Sequence, residues 1–151
     1  MRINRPEKSG ILWWNLIDGW PNVSDAVVDY YFDKKIAYDY IKKSQQPFCI
    51  MMDEPEFWNS KIVASNNTLK KIEGRVKVTD GESGEVLFEK EFIVPENCSV
   101  PLGEIKLYYS EQRLFLIEWE TEGNKYFNHY ISGKVPHSLE KYKKWLDIIR
   151  K

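Results

Sequence analysis

Apolar and polar residues follow two different patterns along this chain, and the change between them comes near Ser44. Before that point, the segment GILWWNLI at residues 10–17 is an almost continuous apolar run. A short run that is apolar on both faces is typical of a strand in the middle of a parallel sheet covered by helices. The pattern therefore predicts a buried strand over residues 11–17.

A helix is predicted next, over residues 33–43, after the long loop PNVSDAVVDYY. Asp33 is the predicted N-cap, and two lysines near the other end suit the negative pole of the helix dipole. The predicted apolar face consists of Ile36, Ala37, Tyr40 and Ile41. One strand, one loop and one helix cannot cover both faces of that strand, so residues 1–44 are predicted to be part of a larger domain.

After Ser44 the apolar period becomes two, as in strands with one buried face. Residues 45–134 contain about seven such segments separated by turn signals, which predicts an immunoglobulin-like β-sandwich and a mainly β chain. Pro101 indicates an edge strand or a bulge. The residues predicted to share buried faces are Trp58, Ile62 and Ala64, then Ile72, Val76 and Val78, then Phe115, Ile117 and Trp119.

The tail, residues 135–151, predicts an amphipathic C-terminal helix with Ser138 as its N-cap. Its predicted apolar stripe is Leu139, Tyr142, Trp145, Leu146 and Ile149. The chain is thus divided into three predicted parts: residues 1–44, residues 45–134 and residues 135–151.

Charge and composition narrow the choice of partners. The 22 basic and 23 acidic side chains nearly cancel, which predicts neither a nucleic-acid partner nor a membrane surface as partner. The spacing of Cys49 and Cys98 is not that of a metal-ligand pair, so both are predicted to be buried thiols, and neither a metal nor a cofactor is predicted. Aromatic residues make up 15% of the chain, which suits either an aromatic core or a sugar-binding cleft, because indole rings stack on the C–H faces of pyranoses.

Residues 10–47 resemble the end of the catalytic barrel in glycoside hydrolase family 2, which includes β-galactosidases, β-glucuronidases and β-mannosidases. The positions that carry the resemblance are Gly10, Trp14, Asn15 and Asp18, then Trp20 as in the β-mannosidase-like branch, then Ser24, Asp29, Tyr30, Tyr31, Lys35, Tyr38 and Lys42. Members of that family follow the barrel with β-sandwich domains. Asn15 stands where β-mannosidases tend to have Gln, which leaves open which sugar is cleaved.

The resemblance implies that residues 1–44 are the eighth strand, loop and helix of a (β/α)₈ barrel, whose active site lies at the C-terminal ends of its strands. Trp14 would then stack against the sugar next to the scissile bond, and Asn15, Asp18 and Trp20 are the other predicted substrate-binding residues. In the competing interpretation the tryptophans only fill the core, and Asp18 only caps the loop.

No catalytic residue is predicted. A retaining glycosidase needs two carboxylates about 5.5 Å apart, and the resemblance implies that both are glutamates of earlier barrel strands, outside this sequence. Glu118 and Glu120 lie at i and i+2 of a predicted strand, but they alternate with apolar residues and are predicted to face solvent. We therefore expect a C-terminal fragment of a retaining, β-mannosidase-like glycosidase of carbohydrate metabolism, acting on a β-linked sugar in the intact enzyme and inactive alone.

Two alternatives stay open at this point. One is a free-standing carbohydrate-binding or protein-interaction module that uses Trp58, Tyr108, Tyr109 or Tyr130, although periodicity places Trp58 in the core. The other is a structural scaffold without a ligand. Because the strand and helix of residues 10–44 would lack neighbours, self-association through them is predicted. The compartment, whether bacterial cytoplasm, periplasm or exterior, is left open.

Overall fold

The computed structural model describes residues 2–4, 7, 10–136 and 138–149, and it divides into two compact units, Met1–Pro47 and Phe48–Lys151. The second unit is a β-sandwich, which confirms the predicted mainly β fold class. Its strands are β1 (Phe48–Met52), β2 (Asn59–Asn66), β3 (Ile72–Asp80), β4 (Val86–Val94), β5 (Cys98–Lys106), β6 (Leu114–Thr121) and β7 (Asn124–Ile131).

The strands form two antiparallel sheets, one ordered β1-β2-β5 and the other β4-β3-β6-β7. Side chains of alternate residues meet between the sheets, as the period of two predicted. The residues that were predicted to be buried and are buried include Ile62, Ala64, Val76, Val78, Phe115, Ile117 and Trp119. The sandwich core therefore follows directly from the pattern of apolar residues.

Pro101 lies in β5, the edge strand of the smaller sheet, next to a β-bulge. Ile62 pairs with Gly103 and Val63 pairs with Pro101, so Leu102 is the extra residue. Both predicted locations for Pro101 are thus confirmed together. Cys49 and Cys98 are not joined in a disulfide, since they lie on β1 and β5, on opposite sides of β2. Cys49 is buried as predicted, whereas Cys98 is only half-buried.

The prediction that Trp58 faces the core is wrong. Strand β2 begins one residue later, at Asn59, and Trp58 is 65% exposed. Glu56 and Asn59 exchange backbone hydrogen bonds of 2.8 and 3.0 Å, and the two residues between them, Phe57 and Trp58, have φ of 48° and 66°. This is the pattern of a two-residue type I′ hairpin, whose central residues do not continue the alternation of the strand.

Helix α2 (Leu139–Ile149) packs against the larger sheet as part of the second unit. Ser138 caps it, because Oγ of Ser138 accepts a hydrogen bond from the N–H of Lys141 (3.5 Å). Trp145 is 1% exposed and, with Ile149, packs on Leu114. The predicted apolar stripe is only partly buried, since Leu139 in the first turn faces solvent. His137, Arg150 and Lys151 of the predicted segment lie outside the described residues.

The first unit contains a short 3₁₀ helix, Arg2–Asn4, and helix α1, Ile36–Ser44. The predicted Asp33 cap is wrong: Lys35 is at the N-cap position without a side-chain cap. Asp33 instead closes a turn with Asp29, which accepts the Asp33 N–H at 2.8 Å. At the other end, the guanidinium of Arg2 donates to the carbonyls of Ser44 (2.8 Å) and Gln46 (2.7 Å), which satisfies acceptors that a helix leaves free.

Residues 11–17 do not form the predicted strand. Their only ladder contact among the described residues is an isolated parallel bridge between Ile17 and Val28. A barrel strand needs hydrogen-bonded neighbours on both sides, and this unit provides one short contact on one side. The predicted apolar face of α1 is only partly covered: the described helix has no buried residue, Ile36 is exposed and Ile41 is half-buried.

Candidate functional site

The four predicted site residues lie on one loop of the first unit, but their burial differs. Trp14 is 82% exposed, and Asn15 and Trp20 are also exposed, whereas Asp18 is buried. The peptide bond between Trp14 and Asn15 is cis. Three of the four side chains can therefore meet a ligand, and the fourth is placed to hold the loop.

Asp18 is the centre of a polar network. Its carboxylate accepts a hydrogen bond from Lys35 Nζ at 2.9 Å and another from the hydroxyl of Ser24. Lys35 also donates to the carbonyl of Ser24 at 3.0 Å, and the Ser24 hydroxyl accepts from the N–H of Ala26. Residues that are up to 17 positions apart are thus joined through one carboxylate.

The network keeps Asp18 ionised. The hydrogen bond from Ser24 and that from Lys35 lower the pKa of the Asp18 carboxyl below its ordinary value, and they outweigh the opposing effect of burial. An ionised carboxylate accepts hydrogen bonds but cannot donate a proton, so Asp18 is suited to positioning rather than to acid catalysis.

Backbone hydrogen bonds fix the same loop. The N–H of Asp18 donates to the carbonyl of Val28 (3.1 Å), and the N–H groups of Val27 and Val28 donate to Asn15 (3.2 Å) and Leu16 (2.9 Å). Val27 and Val28 are themselves buried. The residues next to Trp14 are therefore held on a buried segment, while its own ring is free.

Trp20 is tied to the network through Asn22. In the amide orientation that satisfies both neighbours, Asn22 donates to Asp18 Oδ1 at 3.2 Å and accepts from Trp20 Nε1 at 2.5 Å. The indole N–H of Trp20 is thus engaged within the protein, which leaves its ring face as the part that a ligand can contact.

Trp13 has a different environment from Trp14. It lines a cleft of about 370 Å³ together with Leu16, Val27, Tyr38 and Ile41, between the loop and helix α1. Trp14 is not among the residues that line this cleft. Of the two adjacent tryptophans, Trp14 is the more exposed, at 82% against 45% for Trp13.

Among the described residues, no group of three or more His, Cys, Asp or Glu side chains is placed to hold a metal ion. Glu118 and Glu120 face solvent as predicted, and Glu118 pairs with Lys77 at 3.1 Å. No described helix is long and apolar enough to cross a membrane.

A second group of exposed aromatic residues lies on the sandwich. The rings of Trp58 and Tyr108 have centroids 5.5 Å apart and planes inclined by 59°. Phe57, which precedes Trp58 in the chain, is 87% exposed, and the sequence pattern did not predict an exposed aromatic residue there. Tyr130 is half-buried and donates to Glu54 at 3.2 Å; burial and the Glu54 charge raise the pKa of its hydroxyl.

Two known proteins are similar to this chain over most of its length. No family model matches it. It is 23% identical to β-mannosidase B of Thermothelomyces thermophilus over an alignment of 160 positions. This alignment covers 90% of this chain and 18% of that protein. The crystal structure of a β-D-mannosidase from Dictyoglomus thermophilum superposes with a TM-score of 0.73 and 26% identity, over 87% of this chain and 17% of that one.

The chain thus spans less than a fifth of the length of each of these two proteins. The match extends far beyond the segment of residues 10–47 that carried the resemblance in the sequence, since it includes most of the sandwich as well. Along most of its length the chain is similar to β-mannosidases, and the family resemblance predicted from its sequence is confirmed.

Proposed function

We propose that the chain is the C-terminal part of a retaining, β-mannosidase-like glycosidase, in which it forms one wall of the sugar cleft and supports it with the sandwich. The observation that carries this proposal is the similarity to two β-mannosidases over 87–90% of the chain, at 17–18% of their length. The substrate of the intact enzyme would be a β-linked sugar, with mannose favoured by these two relatives.

Trp14 is the proposed sugar contact. Its ring is exposed, while the backbone beside it is fixed by hydrogen bonds to Val27 and Val28. A flat aromatic face on a fixed backbone is suited to stack on a pyranose, because little conformational freedom is lost on binding. Asp18 would act as a positioning residue, since it holds Lys35 and Ser24 and reaches Trp20 only through Asn22.

Catalysis is assigned to residues outside this sequence. The family resemblance implies a pair of glutamates on earlier barrel strands, and the buried carboxylate of the loop, Asp18, is already paired with Lys35. We expect the isolated chain not to hydrolyse an aryl β-D-mannopyranoside above the background rate. Hydrolysis that persists through purification and disappears in a Glu118→Gln or Glu120→Gln variant would contradict this assignment.

Self-association is the accompanying proposal for the isolated chain. The first unit exposes Leu12 (98%), Ile36 and several aromatic rings, and exposed apolar side chains that lie together favour association. Sedimentation velocity of the chain should show dimers or larger species, and Leu12→Asp should shift the distribution toward monomer. A monomer at all concentrations would refute self-association through residues 10–44.

A further inference from the structure

Two hairpins of the sandwich share the same backbone geometry but differ in sequence. Between β6 and β7 the central residues Glu122 and Gly123 have φ of 50° and 75°. Between β1 and β2 the corresponding residues are Phe57 and Trp58, at 48° and 66°. This turn favours glycine and asparagine, because a side chain is strained at positive φ. Formation of the turn therefore does not explain why two bulky aromatic residues occupy it.

Burial does not explain them either. Phe57 and Trp58 are both largely exposed, so they contribute little to the sandwich core. Strained, non-glycine positions of this kind are concentrated at sites that contact ligands. The aromatic pair at the hairpin tip is thus a binding feature rather than a folding feature.

The backbone beneath the rings is rigidly held. Besides the paired bonds between Glu56 and Asn59, the carbonyl of Trp58 accepts the N–H of Leu107 at 3.0 Å. That bond brings Tyr108 next to Trp58, where the two inclined rings pack against each other and keep more than half of their surface exposed. An exposed indole face that is held in this way can stack on the C–H face of a six-membered sugar ring.

The charged side chains near the hairpin tip bear on the class of ligand. Glu54 and Glu56 precede the hairpin tip; Glu54 accepts from Tyr130, and Glu56 lies 3.7 Å from Lys61. Carboxylates accept hydrogen bonds from sugar hydroxyls, whereas a wholly apolar partner would bury them without compensation. Lys61 and the exposed Lys106 of β5 lie beside the same tip, so the acidic and basic charges nearly balance there and favour neither an anionic nor a cationic ligand. A neutral, polyhydroxylated ligand fits both the rings and the carboxylates.

We propose that Phe57, Trp58 and Tyr108 form a carbohydrate-binding site for a neutral hexopyranose unit of a β-linked oligosaccharide. It consists of residues of the second unit alone, and so it is independent of the Trp14 loop. The presence of this hairpin site does not depend on the proposed glycosidase function. Only the choice of a mannose oligosaccharide as probe rests on that function.

The test is calorimetric titration of the whole chain with β-1,4-linked mannotetraose and, separately, cellotetraose. Three proteins are compared: the wild type, the double variant Phe57→Asn/Trp58→Gly and the variant Trp14→Ala. The double variant carries the residues that the turn prefers, so it should keep its β-sheet circular dichroism. We expect wild type and Trp14→Ala to bind at least one probe alike, and the double variant to bind roughly tenfold more weakly or not at all.

Three results would overturn the site at the hairpin. The wild type could fail to bind either sugar at millimolar concentration. Binding could be lost in Trp14→Ala but kept in the double variant, which would place the sugar at the Trp14 loop and support the proposed function instead. Finally, the double variant could alter the self-association of the chain in sedimentation velocity but leave sugar binding unchanged. The hairpin would then be a protein–protein contact.

Discussion

Replacing Trp58 with glycine should leave the sandwich almost as stable as before, whereas replacing Trp145 with alanine should destabilise it strongly. Trp145 is completely buried, and its Nε1 donates to Glu82 at 3.2 Å. Loss of a core tryptophan costs about 3–5 kcal/mol. In a domain of about 100 residues this lowers the melting temperature by on the order of 15 °C.

For Trp58 the contributions nearly cancel. Glycine relieves the strain of a positive φ, which is about 1–2 kcal/mol. Against this stand the lost contact with Tyr108, about 0.5–1.5 kcal/mol, and the greater freedom of glycine in the unfolded chain, about 0.5–1 kcal/mol. The expected net change in the free energy of unfolding is within about 1 kcal/mol, or roughly 5 °C.

The assay is thermal unfolding followed by the β-sheet circular dichroism of wild type, Trp58→Gly and Trp145→Ala. The two variants each remove one indole ring, so they differ mainly in the burial of the residue that is replaced. If Trp58→Gly were as destabilising as Trp145→Ala, the assignment of Trp58 to an exposed turn would be refuted, and the core position predicted from the sequence pattern would be restored.

Three further predictions concern the hydrogen-bonded carboxylates of Asp80 and Asp18 and the proposed sugar contact, Trp14. The Asp80 carboxylate accepts hydrogen bonds from the N–H groups of Glu82 and Ser83 and pairs with Arg113 at 2.8 Å. Burial raises the pKa of this carboxyl, but the three donors lower it overall, below its ordinary value of 3.8. Asp80 therefore stabilises the native state at pH values above 3.8, and this stabilisation is lost as the pH falls through the lowered pKa. Asp80→Asn should therefore lower the melting temperature near neutral pH and flatten its fall in acid, and an unchanged acid profile would contradict this. Asp18→Asn removes the charged partner of Lys35 and should speed proteolysis within residues 10–35, whereas the exposed Asp25→Asn in the same loop should not; equal cleavage of both variants would argue against a network centred on Asp18. In the intact enzyme, Trp14→Ala should reduce kcat/KM for an aryl β-mannoside by at least about tenfold. An unchanged kcat/KM in this variant would show that Trp14 does not contact the sugar.

Much of the sandwich could be predicted because its strands bury one face and expose the other. Val76, Val78, Phe115 and Ile117 follow that alternation and are all buried. Trp58 fits the same alternation only by chance. It lies in a turn at positive φ, one residue before β2 begins, and apolar periodicity does not reveal where a turn ends and a strand begins.

The first unit was harder to predict. Its apolar run was interpreted as a barrel strand, and such a strand needs neighbouring strands that this unit does not contain. Residues 11–17 have the composition of a buried strand, but a strand forms only where a second backbone lies alongside. The candidate loop shows the same limit. The resemblance marked Asp18, Ser24 and Lys35 separately, but their pairing across 17 residues depends on the fold of the loop.

The most direct test of the proposed glycosidase origin is to sequence the genomic DNA that precedes the Met1 codon. We predict a continuous reading frame that encodes the earlier strands of a (β/α)₈ barrel, with two glutamates at strand ends as the catalytic pair. A stop codon and a start signal immediately before Met1, with no barrel encoded in the adjoining frame, would contradict the proposal that this chain is the C-terminal part of a β-mannosidase-like enzyme.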